Sequence, residues 1–224
     1  MSEPANLLPL PESDLRMMEH AVARYQGAIG DARSFLEARG ITEATAATFR
    51  LGVVNDPIPE HERYRGMLCI PYLNPSGRVV QTRFRCLADH KCSEFKHGKY
   101  QTVSGDKGRM FNTPALVSDV NELHICEGEM DAIILSQAGF SAVGMPGAST
   151  WRDHHRVMCA GYEWVFIWGD GDEAGREFAQ SVRSSLRGSV IIRVPDGMDV
   201  NDLYLQRGTE GLTGLLEDAR ELHS

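Results

Sequence analysis

The spacing of apolar residues changes character twice along the chain. From Ser13 to about Gln26, Leu15, Met18, Val22 and Tyr25 recur at three- and four-residue steps, which predicts a helix with one apolar face and Ser13 as its N-cap. Asp31 is placed to cap a second helix, Ala32 to Arg39, closed by Gly40; Thr42 is placed to cap a third, running to Arg50 and closed by Gly52. The first twelve residues contain three prolines and no period, so they read as an extended or frayed start. The runs Met67–Leu73 and Gly77–Leu87 are strand-like, and the turn sequence Asn74-Pro75-Ser76-Gly77 makes them a hairpin. On the second run Val80, Thr82, Phe84 and Cys86 alternate with Val79, Gln81, Arg83 and Arg85, which predicts an exposed arginine-bearing face. Residues 88–109 are polar and read as a loop in which basic and aromatic residues interleave.

From Leu123 onward, strand and helix patterns alternate. Strands are predicted at Leu123–Cys126, Ser141–Val143, Trp164–Trp168 and Ser189–Val194. Helices are predicted from about Glu129 to Ala138, Trp151 to Cys159 and Glu173 to Leu186, with residues 200–222 helical in two pieces broken near Gly208. These strands are short continuous apolar runs, the pattern of strands buried on both faces. Alternation of such strands with helices implies a parallel α/β sheet with helices on both faces. The chain therefore divides into a mixed α+β unit, residues 1–118, and an α/β unit, residues 119–224.

Charge sharpens that division. The net charge is −8, which on its face argues against nucleic acid. Residues 61–109, however, hold 10 Lys+Arg against 4 Asp+Glu, and all four lysines (Lys91, Lys96, Lys99, Lys107) lie there. Residues 110–224 hold 8 against 18. A basic band beside an acidic site is what holding a polyanion next to metal-bound carboxylates requires. Five scattered cysteines without a C-x-x-C spacing read as free thiols in a reducing compartment, and no zinc is expected. Neither a membrane-spanning run nor a signal-peptide pattern is present, so a cytoplasmic protein without a membrane partner is expected.

The acids stand where the runs stop. Leu123–Cys126 ends in Glu127-Gly128, and Val165–Trp168 ends in Gly169-Asp170-Gly171-Asp172. In open α/β sheets function gathers at the carboxyl ends of the strands. Glu127, Asp170 and Asp172 should therefore meet at one sheet edge, joined by Asp131 one helical turn on and by Asp196, Asp199 and Asp202 after the last strand. Clustered carboxylates repel unless a cation or proton neutralises them, and the simplest neutraliser is a hard divalent ion such as Mg²⁺. A calcium loop starting at Asp170 fails, because its fifth and twelfth positions are Ala174 and Ser181. A dinucleotide fingerprint fails because Gly175 comes one place too late after Gly169-x-Gly171, and there is no P-loop. The adjacent pair His154-His155 points apart on its helix, against a shared metal.

The block CEGEMDAIILSQAGF…GMPGAST…VFIWGDGDEAGR…VPDGMDVNDL resembles the TOPRIM domain, whose signature is a glutamate-glycine after one strand and D-x-D after another. Upstream, DARSFLEARGITEATAATFRLGVV, RGMLCIPYLNPSGRVVQTRFR and KHGKYQTVSGDKGRMFN resemble, in order, the segments of a DnaG-type primase core. The resemblance implies a Rossmann-like TOPRIM sheet preceded by a smaller α+β primase subdomain. It implies Glu127 as the catalytic glutamate, with Glu127, Asp170, Asp172, Asp131 and Asp199 holding Mg²⁺ or Mn²⁺. Arg83, Arg85, Lys96, Lys99, Tyr100, Lys107 and Arg109 fall at positions for template and nucleotide. The implied activity is RNA-primer synthesis on single-stranded DNA from nucleoside triphosphates. A separate zinc-binding module and a replicative helicase are the further partners implied, since neither module is recognisable in this sequence. Departures are TRFR where the family has a glycine pair before arginine, and GMPGAS, which looks more like phage variants. A TOPRIM nuclease and a non-catalytic DNA-binding scaffold are the competing readings.

Overall fold

The computed structural model describes residues 10–103, 108–118, 120–147 and 150–223. Gly52–Val53 (β1), Leu68–Leu73 (β2), Val79–Arg85 (β3) and Tyr100–Thr102 (β4) form an antiparallel sheet in the order β1-β2-β3-β4. Glu122–Cys126 (β5), Ala142–Gly144 (β6), Trp164–Gly169 (β7) and Val190–Arg193 (β8) form a parallel sheet in the order β6-β5-β7-β8. Helices Glu12–Gln26 (α1), Arg33–Ala38 (α2) and Glu43–Thr48 (α3) precede the first sheet; Glu129–Gln137 (α4), Asp153–Met158 (α5), Glu173–Ser185 (α6) and Val200–Glu221 (α7) belong to the second.

Most local expectations hold, with instructive shifts. α1 starts after Pro11 rather than at Ser13 and buries Ala21, Val22 and Tyr25. A 3₁₀ turn, Ile29–Ala32, runs straight into α2, so Ala32 rather than Asp31 occupies the N-cap and no side chain caps it. Thr42 does cap α3, its hydroxyl accepting from the Thr45 N–H at 3.1 Å. The β2–β3 hairpin closes on Asn74, whose Oδ1 accepts from the backbone N–H groups of Ser76 and Arg78 at 3.0 and 2.9 Å. α7 carries a non-helical residue at Gly208, where φ is +63°.

The strands of the parallel sheet sort their side chains by period two. Leu123, Ile125, Val165 and Ile167 pack on Phe178, Ala179 and Val182 of α6. Cys126, Phe166 and Trp168 face the other way, onto Ile133 and Ile134 of α4 and Leu203, Leu212 and Leu216 of α7. That second layer continues through Phe111 to Leu68, Ile70 and Tyr72 of the antiparallel sheet, so one apolar core ties the two sheets together. Phe111 stacks on Phe49 with ring centroids 5.6 Å apart. The shared core holds the antiparallel sheet beside the parallel one, Arg83 of β3 reaches Glu129 at the start of α4, and the cleft lies between them.

Candidate active site

β5 pairs with β7 in register, Cys126 beside Trp168. From β5 the chain crosses outward to β6, and from β7 it crosses the opposite way to β8. The loops leaving β5 and β7 therefore diverge and open a crevice between them. Glu127 follows β5 and Asp170 follows β7. Asp131 lies in the first turn of α4. Two glycines draw the remaining acids to the same edge. A Cβ on Gly175 would sit 2.3 Å from Asp170 backbone atoms, and one on Gly171 would sit 2.0 Å from the Pro195 carbonyl oxygen. Only glycine lets the end of β7, the start of α6 and the loop before α7 touch this closely. That loop delivers Asp199, the N-cap of α7, whose side chain accepts from the Asp202 N–H at 2.6 Å.

The result is a cleft of about 240 Å³ whose lining includes Glu127, Asp131, Asp170 and Asp199 on one wall and Arg39, Arg83, Arg85, Lys99 and Tyr100 on the other. Glu127 Oε2, Asp131 Oδ1 and Asp170 Oδ1 are buried there without a hydrogen-bond partner. Buried polar atoms in folded proteins are almost always satisfied, so three orphaned carboxylate oxygens in one cleft mark a place for something that binds carboxylates. Burial, then the charges of Asp170 and Asp199, push Asp131 well above the usual carboxylate range. Burial, then Glu127, Asp199 and Asp172, push Asp170 up to about 7. Burial and Asp172 raise Glu127. A set of oxygen-only donors with this mutual repulsion fits a hard divalent cation, which would lower all three.

The opposite wall is cationic and largely pre-arranged. The Arg85 guanidinium donates to the Tyr100 hydroxyl at 2.9 Å and lies 4.6 Å from the Phe35 ring centroid, yet its Nε–H is buried without a partner. Burial, Arg85 and Arg39 lower the Lys99 ammonium, the mark of cations gathered in one place. Arg39 is held by the Asn201 side chain at 3.0 Å and stands 3.9 Å from Asp199. Arg83 is ion-paired with buried Glu129 at 2.5 Å, and Glu129 also accepts from the Tyr72 hydroxyl at 2.5 Å.

The Toprim-like family matches residues 124–204, the segment that contains Glu127, Asp131, Asp170, Asp172 and Asp199. The chain is 43% identical over 153 residues to the gene 57 protein of Mycobacterium phage D29, an alignment covering 66% of this chain and 97% of that protein. It is 26% identical over 232 residues to the DNA primase of Escherichia coli K12, covering 85% of this chain and 40% of the primase. A solved DnaG primase catalytic domain bound to single-stranded DNA superposes with a TM-score of 0.75 at 24% identity, over 92% of this chain and 78% of that one. The chain belongs to the DnaG-type primase family. It spans about two fifths of the length of the bacterial primase, so the likeness concerns the catalytic core.

Set against the residues expected of a DnaG-type core, the cleft gathers Glu127, Asp131, Asp170, Asp199, Arg83, Arg85, Lys99 and Tyr100. Asp172 stands at the rim. It is exposed, and its Oδ1 accepts from the Gly175 N–H at 2.8 Å as the N-cap of α6. Lys96 is exposed on the β3–β4 connection, away from the cleft lining, and Arg109 is exposed beside an adjoining groove that it shares with Arg83 and Tyr100. Lys107 lies outside the described residues. The arginine face of β3 is not exposed as its alternation predicts: Arg85 is 5% accessible, because its guanidinium lies against Phe35 and Tyr100. Arg39 and Glu129 are members that sequence reasoning missed. Arg39 reads as an ordinary helix-end residue before Gly40, and only the fold brings it to Asn201, 162 positions away. Glu129 had a signal, since it follows the Glu127-Gly128 pair directly.

Proposed function

We propose that this chain is the catalytic core of a DNA primase, which makes short RNA primers on single-stranded DNA by metal-dependent nucleotidyl transfer. The observation that carries the reading is the cleft itself, with buried carboxylates lacking partners on one wall and a fixed cationic wall opposite. Glu127, Asp131, Asp170 and Asp199 would hold Mg²⁺ or Mn²⁺, with Asp172 contributing from the rim. When bound, such an ion neutralises charge on phosphate oxygens and lowers the pKa of a coordinated hydroxyl. The division into units 1–118 and 119–224 is part of this reading; it falls between the last antiparallel strand, Tyr100–Thr102, and the first parallel one, Glu122–Cys126.

In the reaction proposed, the 3′-hydroxyl of the growing primer attacks the α-phosphate of the next nucleoside triphosphate, and pyrophosphate leaves. Glu127, at the end of β5 within the same cleft, would take the hydroxyl proton. Arg85, Lys99 and Arg39 would hold the triphosphate and the developing negative charge, Arg85 through the Nε–H that has no partner. Lys96 and Arg109, exposed to either side, would carry the template backbone by its phosphates, so DNA binding should weaken steeply with salt. Lys107, in the same segment, is assigned that role from its position in the sequence. The similar DnaG domain solved with single-stranded DNA supports this assignment of substrate. A zinc-binding module and a replicative helicase are the partners that would set the start site. No helix among the described residues is long and apolar enough to cross a membrane, and the working place proposed is the cytoplasm of a bacterial or phage-infected cell.

The test is primer synthesis on single-stranded DNA with labelled ribonucleotides and Mg²⁺ or Mn²⁺. Short oligoribonucleotides are expected, lost in Asp170→Ala and Glu127→Gln with the fold intact. Absence of product on every template, with or without an added zinc module and helicase, would overturn the reading. Template cleavage without triphosphates would replace it with a TOPRIM nuclease.

A further inference from the structure

The connection between β3 and β4 carries a second group of metal-binding side chains, remote in chemistry from the carboxylate cleft. Cys86 follows the last residue of β3. His90, Cys92 and His97 follow within eleven positions, in the spacing C-x₃-H-x-C-x₄-H. One ligand atom from each of the four lies within 4.8 Å of all the others. The Cys86 Sγ is 3.5 Å from His90 Nε2, and His90 Nε2 is 3.1 Å from His97 Nε2. A tetrahedral zinc ion with ordinary bond lengths sets sulfur–nitrogen separations of about 3.6 Å and nitrogen–nitrogen separations of about 3.3 Å. Both observed distances fall close to those values.

The surroundings also prepare the ligands. The His97 Nδ1 is 3.0 Å from the Gly98 carbonyl oxygen. Nδ1–H donation to that carbonyl fixes the tautomer that leaves Nε2 free to bind a metal, the usual outer support of a zinc-bound histidine. Phe95 is 62% accessible and stacks on His90, with ring centroids 4.3 Å apart, screening one side of the cluster from water. The turn Cys92–Phe95 ends at Lys96 in the left-handed region (φ +56°), which returns the chain so that the His97 N–H reaches the Cys92 carbonyl at 3.2 Å. All four side chains are half-buried.

We propose that Cys86, His90, Cys92 and His97 form a structural Zn²⁺ site. Two thiols would lose their protons to solvent on binding, giving a neutral Cys₂His₂ centre with no open position. The site clips the lysine-bearing connection to the end of β3. Cys86 already bonds across it, its N–H donating to the Lys99 carbonyl at 2.9 Å. Zinc therefore holds Lys99 at the mouth of the cleft and fixes where Lys91 and Lys96 point. This reverses the expectation of no zinc that the absent C-x-x-C spacing suggested.

The site can be tested without any activity measurement. Untagged protein from zinc-supplemented cells should contain about one zinc per chain by plasma emission spectrometry. Asp170→Asn should keep that zinc, and the double substitution Cys86→Ser with Cys92→Ser should lose it. Cobalt-substituted wild-type protein should show thiolate-to-cobalt charge transfer and the intense visible bands of tetrahedral Co²⁺. Stripping the metal should speed tryptic cleavage after Lys91 and Lys96. If the double variant does not fold, mercurial titration of the wild-type thiols decides, with stoichiometric zinc release expected. Wild-type protein without zinc, zinc retained by a folded double variant, cobalt spectra lacking thiolate charge transfer, or no release on mercuration would each overturn the proposal.

Discussion

The two walls of the cleft are charged in opposite senses and are built by opposite rules. On the parallel-sheet wall, Glu127, Asp131 and Asp170 each leave a buried oxygen unpartnered. On the antiparallel-sheet wall, Arg83 is paired with Glu129, and Arg85 rests on Tyr100 and Phe35. The acids repel one another and await a ligand, while the cations are fixed before any ligand arrives. Removing an acid should therefore cost function and relieve the fold; removing a paired cation should cost the fold first.

The largest effect expected is on activity. Asp170→Asn should lower primer synthesis by about a thousandfold or more, because the ion would lose a central charged ligand. The same variant should bind single-stranded DNA with wild-type affinity in filter-binding assays; an equal loss in both would mean that Asp170 supports the fold rather than the chemistry. Next is Arg83→Ala, which leaves the Glu129 carboxylate buried with only the Tyr72 hydroxyl. Breaking a buried pair from one side costs about 3–5 kcal/mol, visible as a large fall in the urea midpoint. An unchanged midpoint would show that the wall is not held by that pair. Arg85→Lys comes third. It keeps the charge but loses the planar stack on Tyr100 and Phe35, and should raise the KM for nucleoside triphosphate about tenfold with little change in the urea midpoint.

Where the chain was legible follows from whether a site depends on local period or on distant pairing. The acidic wall is local. Each acid directly follows a strand, caps the next helix or, like Asp131, lies in its first turn, so the apolar runs ending at Cys126 and Trp168 locate Glu127 and Asp170 by themselves. The alternation of strand and helix likewise foretold the parallel sheet and even the break at Gly208. The cationic wall is not local. Strand β4, Tyr100–Thr102, has no apolar alternation and exists because it pairs with the edge of β3 through Arg85 and Tyr100. Arg39 reaches the cleft from the end of α2, and no local pattern links it to its partner Asn201 on the last helix. The Cys86–His97 cluster escaped for a third reason. Its spacing departs from every common zinc pattern, and only the return of the chain from β3 to β4 brings the four side chains together.

The smallest effect tests the repulsion directly. Asp170 is raised to about 7 in the folded chain, while an unfolded aspartate titrates near 3.9. The folded state therefore holds a proton that the unfolded state releases between those values. The stability this contributes is complete below the unfolded pKa and is lost as pH rises through about 7. At pH 8 without metal, the wild type should be less stable than Asp170→Asn by about 1 kcal/mol once solvent screening is allowed for, and the two should converge below the unfolded pKa, at about pH 3.5. Adding Mg²⁺ or Mn²⁺ at pH 8 should raise the wild-type melting temperature and leave that of Asp170→Asn nearly unmoved. A wild type that keeps the same stability difference from Asp170→Asn at every pH, and gains nothing from the metal, would show that the acids do not repel one another as the geometry requires. The two walls would then differ in sign alone.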